Sequence, residues 1–141
     1  MFRVKKGPGG FTTEKVFAHA ADEWNSEVQT PIVFQGRLFA VGKKKRGLFT
    51  CVAPDGKQVW TSEGKASFEL GSFLLADGMF LILEGKTGVL RLVEASTAAY
   101  KELASAPVLK GPDVWGPLAL SDGKLVVRDL GRMVCLDLKR R

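Results

Sequence analysis

The chain has 141 residues, 45% of them apolar, and its 21 basic against 15 acidic side chains give a formal charge of +6. That length holds one compact domain with a core of its own, and the apolar fraction excludes a disordered chain. No stretch reaches the roughly 18 to 20 uncharged apolar residues of a membrane helix, and Met1 to Lys6 leads into Gly7-Pro8-Gly9-Gly10 rather than an apolar segment, so no membrane span and no signal peptide are predicted.

In chain order, Phe2 to Lys5 and Phe11 to Phe17, joined by Gly7-Pro8-Gly9-Gly10, read as two strands. A turn of helix has room only near Ala20 to Trp24 or Ser96 to Tyr100. At Pro31 a phrase begins that recurs twice: a short apolar run, a turn ending in glycine, a second apolar run and a third strand opened by glycine. Its first copy runs from Pro31 through Gln35-Gly36 to Val41, then Leu48 to Ala53, and Asp55-Gly56 turns it into a fourth strand, Lys57 to Thr61.

The second copy places strands at Phe73 to Ala76, Met79 to Glu84 and Val89 to Glu94, with a longer outer segment from Tyr100 to Leu109. The third starts at Pro117, turns at Ser121-Asp122-Gly123 and ends its third strand between Arg132 and Leu138, with no fourth strand. Asp-Gly between apolar runs is a strong hairpin signal, because glycine accepts the positive φ a tight turn requires. Apolar residues at consecutive positions, as in Leu81-Ile82-Leu83, suit strands covered on both faces.

The three turn glycines lie about 42 and about 45 residues apart, inside the period of four-stranded propeller blades. The predicted fold is therefore all-β: a partial β-propeller of about three four-stranded antiparallel blades plus an N-terminal half blade, with roughly thirteen strands. Residues 1–17 form the half blade, 28–65 and 70–109 full blades, and 115–138 an incomplete blade, all in a single domain.

Cys51 and Cys135 fall at the same place in the third strands of two blades separated by a whole sheet. Packed sheets sit about 10 Å apart, so a disulfide is out of reach, and both thiols are expected to be buried and unpaired. His19 is the single histidine, which removes multi-histidine metal sites and histidine triads within one chain. It is expected at the surface. Gly85-Lys86-Thr87 resembles the end of a phosphate-binding loop, but Phe80 stands where that loop needs glycine and the segment joins two strands, so it reads as a hairpin turn. Asp55, Asp77 and Asp122 each precede a turn glycine, where a carboxylate caps backbone amides. Glu84 and Glu94 bracket a hairpin and are a carboxylate pair of the kind that does acid–base work, though nothing in the sequence supplies them a partner.

The sharpest charge feature is Lys43-Lys44-Lys45-Arg46, with Lys139-Arg140-Arg141 at the end of the chain. Lys43, Lys44, Lys45 and Arg46 are candidates for polyanion contact. Against that, they fall in a loop between strands, where solvated charge also discourages edge pairing, and no exposed aromatics are interleaved to stack on bases. Nucleic acid is not the expected partner.

The segment Thr30 to Phe39, and Gly47 to Val52 followed by Asp55-Gly56-Lys57-Gln58-Val59-Trp60, resemble the opening and closing strands of the PQQ-like eight-bladed β-propellers, the family of quinoprotein dehydrogenases and BamB-type scaffolds. From about residue 11 to 138 the chain is similar to the C-terminal blades of uncharacterised exported members. The resemblance implies that Trp60 packs between blades, and it implies an exported or periplasmic setting. Quinoprotein dehydrogenases hold their cofactor with a vicinal cysteine pair, a tryptophan floor and calcium ligands beside a catalytic aspartate. Here the two cysteines lie far apart and Asn25 is the sole asparagine. No catalytic, cofactor-binding or metal residue is carried across, and no cofactor is expected.

An arc of blades should expose a blade face and an edge at each end, and covering both faces is worth more than the stability of a typical domain. The expected partners are therefore a second copy or the remaining blades of a longer propeller, and a protein bound to the loop face or the open edges. The function this implies is a non-catalytic scaffold or binding module. The alternatives are a quinoprotein-like remnant that needs further blades and, more weakly, a basic polyanion-binding module.

Overall fold

The structure, a computed structural model, describes residues 1–42 and 47–139. Among them are thirteen strands in four antiparallel sheets and no helix. β1 (Phe2–Gly7) and β2 (Gly10–Lys15) form a hairpin. β3 (Ile32–Phe34), β4 (Arg37–Gly42), β5 (Leu48–Val52) and β6 (Gln58–Thr61) form the first four-stranded sheet, in that order. β7 (Phe73–Ala76), β8 (Met79–Leu83), β9 (Val89–Glu94) and β10 (Glu102–Pro107) form the second. β11 (Ala119–Ser121), β12 (Lys124–Arg128) and β13 (Met133–Asp137) make a third sheet of three strands.

The first hairpin of each sheet closes with both central residues at positive φ: Gln35 and Gly36 at 47° and 69°, Asp77 and Gly78 at 48° and 73°, Asp122 and Gly123 at 47° and 73°. This type I′ geometry matches strand twist and favours Asn, Asp and Gly. It corrects the role expected of two aspartates. Asp55 does cap, accepting the Lys57 amide at 3.0 Å, but Asp77 and Asp122 sit at their turns as residues that tolerate the left-handed conformation, and the Asp122 carboxylate pairs with Lys139 at 2.8 Å.

A consistent alternation orders the sheets. The third residue after each turn glycine (Phe39, Leu81, Val126) points to what we term the forward face, and the second (Leu38, Phe80, Leu125) to the rear face. Forward-facing Phe39 and Phe49 meet rear-facing Phe80, with ring centroids 4.8 and 5.0 Å apart. Forward-facing Leu81, Leu83 and Leu90 in turn pack with rear-facing Leu125 and Val127. The middle sheet is covered on both sides, which is why Phe80 to Leu83 is an unbroken buried apolar run.

Both ends of the stack were expected to be open; only one is. Rear-facing Ala40, Thr50 and Val52 of the first sheet are buried, and the segment between β2 and β3 runs across them. Its Phe17 ring lies against Gly56, and its Trp24 ring lies so close to Gly42 that a Cβ there would come within 2.5 Å. A single turn shapes the segment, with the Glu23 and Trp24 amides both donating to the Ala20 carbonyl. His19 is half-buried rather than at the surface, edge-on to Phe17 and Trp24. Its Nε2 lies 2.9 Å from the Gly56 carbonyl, which can only accept, so Nε2 carries the proton.

The forward face of the third sheet carries no such cover. Met133 is 68% exposed and Cys135 is exposed, which corrects the burial expected of that thiol. Cys51 faces forward too but lies under the second sheet. At the other end of the chain the β1–β2 hairpin is exposed along both strands. At its base the N-terminal amine donates to the Phe17 carbonyl at 2.6 Å and the Val16 amide to that of Met1 at 3.0 Å, which extends the pairing of the two strands. No helix among the described residues is long and apolar enough to cross a membrane.

Candidate functional site

The outer rim between the first and second sheets is filled. Trp60 on β6, opposite Cys51, is buried between them, its ring 6.2 Å from that of Tyr100, and its indole N–H donates to the Ser96 carbonyl at 3.2 Å. Beneath Tyr100 lies a charged chain. The Tyr100 hydroxyl donates to Glu102 at 3.2 Å, Arg91 bonds Glu102 at 2.7 Å and Glu84 at 2.5 Å, and the Thr87 hydroxyl donates to Glu84.

Each member responds to its surroundings. Burial pushes the Tyr100 phenol well above its ordinary range, and the Glu102 charge adds to that. Burial works to raise Glu102 as well, but hydrogen bonds from Arg91, Ser105 and Tyr100 outweigh it and hold the carboxyl low. For Arg91 burial acts to lower and the two glutamates to raise, and the glutamates win. Tyr100, Glu102, Arg91, Glu84 and Thr87 are thus bonded to one another across β9, β10 and the β8–β9 turn, a cross-strand polar network within the second sheet. Glu94, the other half of the pair considered from sequence, turns away to Lys101 at 2.6 Å.

Between the second and third sheets the same rim is empty. Among the described residues the third sheet ends at β13, with no strand in the place that β6 and β10 take in the other two. The gap is a groove of about 320 Å³, floored by Leu90, Leu92, Ala104 and Ala106 of the second sheet and walled by Leu136. Forward-facing Ala104 and Ala106 are small, so the floor is recessed.

A second cleft, also of about 320 Å³, lies where the inter-sheet loops meet the β8–β9 turn. It is lined by Glu69, Lys86, Asp113 and the partly exposed Trp115. Glu69 and Asp113 hold positive φ, 52° and 55°, a conformation uncommon for such residues outside tight, well-determined loops. The loops are fixed by two backbone bonds, the Gly85 amide to the Phe68 carbonyl and the Val114 amide to the Gly85 carbonyl, and by the Ser72 hydroxyl donating to the Gly116 carbonyl at 2.5 Å. The cleft presents two carboxylates, one ammonium and an aromatic face on a rigid frame.

Of the residues singled out from sequence, Lys43, Lys44, Lys45 and Arg46 lie outside the described residues. Gly85-Lys86-Thr87 forms the turn between β8 and β9, closed by the Gly88 amide to the Glu84 carbonyl at 3.1 Å, and Lys86 lines the loop cleft. The cleft itself escaped sequence reading. Its signal was an acidic residue shortly before each of two first strands, Glu69 and Asp113, but a loop carboxylate is too common to stand out. Among the described residues no group of three or more histidine, cysteine or acidic side chains could hold a metal ion. No protein-family model matches the chain, and no curated protein matches it.

Proposed function

We propose that the chain is a run of about three blades of a PQQ-like β-propeller, serving as a non-catalytic scaffold that binds a protein partner on its loop face. The observation that carries this reading is the repeated forward-to-rear packing of sheets at the same positions after the same type I′ turn, as successive blades of one wheel would pack. On that frame the loop cleft supplies the recognition chemistry. A basic side chain of the partner lies over the Trp115 ring, where a cation is attracted by the aromatic face, with Glu69 and Asp113 as its counter-charges and Lys86 free to meet a peptide carbonyl or carboxylate.

The test is a peptide-display selection against the whole chain. Peptides carrying a basic residue should be enriched, and Trp115→Ala should weaken their binding by about tenfold, the scale of a desolvated cation–aromatic contact. Absence of such peptides, or a shift in quinone absorbance with alcohol oxidation on adding pyrroloquinoline quinone and calcium, would overturn the scaffold reading in favour of quinoprotein chemistry.

A further inference from the structure

The loop cleft is organised around one glycine. The Gly85 amide donates to the Phe68 carbonyl at 3.0 Å, and the Gly85 carbonyl accepts the Val114 amide at 3.0 Å. A Cβ at Gly85 would come within 3.0 Å of Cδ1 of the Trp115 ring, so the indole lies directly on this backbone. Each charged residue of the cleft is the chain neighbour of one of these residues: Glu69 follows Phe68, Lys86 follows Gly85 and Asp113 precedes Val114. Successive Cα atoms are about 3.8 Å apart, so two carboxylates and one ammonium are rooted around a single ring. That ring is held from its own chain as well, since the Trp115 carbonyl accepts from Gln29 Nε2 at 3.5 Å and the Gly116 carbonyl from the Ser72 hydroxyl. Yet Glu69, Lys86 and Asp113 enter none of the ion pairs formed among the described residues, where Glu14, Glu84 and Asp137 are all paired. Gathered in one cleft and unpaired there, these charges are available to a ligand.

We infer that the cleft takes an arginine bearing a free α-carboxylate, the C-terminal residue of a protein partner, which rests on the basic contact at Trp115 proposed above and narrows it. A single ring flanked by carboxylates suits a guanidinium, which stacks flat on an aromatic face while its five N–H donors point outward in the plane, toward Glu69 and Asp113. An ammonium over the ring turns one of its three donors to the indole and keeps fewer for the carboxylates. A quaternary ammonium is recognised by a cage of several rings, and Trp115 is the only aromatic among the described residues that line the cleft. Lys86 calls for an anion beside the bound cation. At about 320 Å³ the cleft lies at the bottom of the range of ligand sites and has room for about one residue, so anion and guanidinium belong to the same residue. Among amino-acid residues only an arginine at a chain end carries both. Free arginine is the other source of the same chemistry.

Nuclear magnetic resonance titration of the whole chain, read at the indole N–H signal that Trp115→Ala removes, tests this with acetyl-Gly-Gly-Arg, its C-terminal amide, acetyl-Gly-Gly-Lys and L-arginine. The first should bind, and the amide and the lysine peptide should each bind at least about tenfold more weakly, since each lacks a charge-assisted contact. Lys86→Gln should bring the acid and the amide to equal affinity, whereas a merely structural role for Lys86 would weaken both alike. Asp113→Asn, which keeps a residue tolerant of the positive φ, should weaken both arginine peptides equally. Lys86 and Asp113 are exposed, so both variants should melt as the parent does. L-arginine binding as tightly as the peptide would keep the ligand chemistry and overturn the protein source. Equal binding of acid and amide, or of the arginine and lysine peptides, overturns the inference and leaves a basic residue over Trp115 standing. Binding by none of the four overturns it too, and the display selection, which samples basic residues within a chain, then decides the Trp115 reading by itself.

Discussion

Cys51 and Cys135 occupy the same strand of their respective sheets and face the same way, yet the first is sealed under the second sheet and the second stands in solvent. What separates them is only whether another sheet follows. Burial pushes the Cys51 thiol up, against a smaller opposing effect of Arg37, and so suppresses the reactive thiolate. At neutral pH a thiol reagent should therefore label Cys135 quickly and Cys51 only after unfolding. Mass spectrometry over time should show one fast adduct and a second that appears with denaturant; two equally fast adducts would contradict the stacking.

Trp60 and Trp115 should differ sharply in what they contribute to stability. Trp60 is buried between two sheets with its N–H bonded, whereas Trp115 is 43% exposed. Trp60→Ala should cost about 3 to 5 kcal/mol, the range for deleting a buried aromatic, while Trp115→Ala should stay within about 1 kcal/mol. Chemical denaturation midpoints read the difference.

Tyr100 is the sole tyrosine of the chain, so phenolate absorbance reports on it alone. Its pKa is raised on folding from an ordinary value of 10.0, so the folded chain holds the proton more tightly than the unfolded one. The associated stability is complete below that ordinary value and is lost as pH rises toward the folded pKa. Absorbance should change late and together with unfolding, and Tyr100→Phe should flatten the alkaline limb. Ordinary titration near 10.0 in the folded protein would refute this.

Glu102 works in the opposite direction. Its folded pKa lies below the ordinary 4.5, so its contribution is present above that value and disappears as pH falls through the lowered one. Glu102→Gln should lower stability at neutral pH and make the acid limb of a stability–pH curve shallower. An acid limb as steep as that of the parent would exclude this role.

Two glycines at the same positive φ separate backbone strain from collision. Gly47 and Gly64 have φ of 72° and 73°, but a Cβ at Gly47 would strike the Glu69 backbone while one at Gly64 meets open space. Gly64→Ala should cost about 1 kcal/mol, the ordinary penalty of a left-handed alanine, and Gly47→Ala clearly more. Equal shifts in melting temperature would mean that the Glu69 loop yields.

The strands and turns were legible in the residues because each Asp-Gly or Gln-Gly pair sits between apolar runs and sterics leave such a pair few conformations. β9 and β13 fall where the repeat places them for that reason. What escaped were properties that depend on what covers a face. Cys135 is exposed because among the described residues no further sheet covers its face, and the cover over Ala40 comes from Phe17 to Trp24, a stretch with no periodicity to announce it. The Tyr100, Glu102, Arg91 and Glu84 chain joins residues from β9, β10 and the turns beside them, and no sequence spacing reveals that these side chains converge. The loop cleft was hidden for the same reason, its parts arriving from three separate connections.

The Trp24 segment over the first sheet has a further consequence. Sheets that stack forward face on rear face are the repeat unit of a linear polymer: left open at both ends, such units add head to tail and form fibres. Here the rear end is capped within the chain by Phe17 and Trp24, so a neighbour's exposed Met133 and Cys135 face finds no like surface to land on. The segment acts as a chain terminator, which keeps a molecule with one sticky end from propagating into a filament.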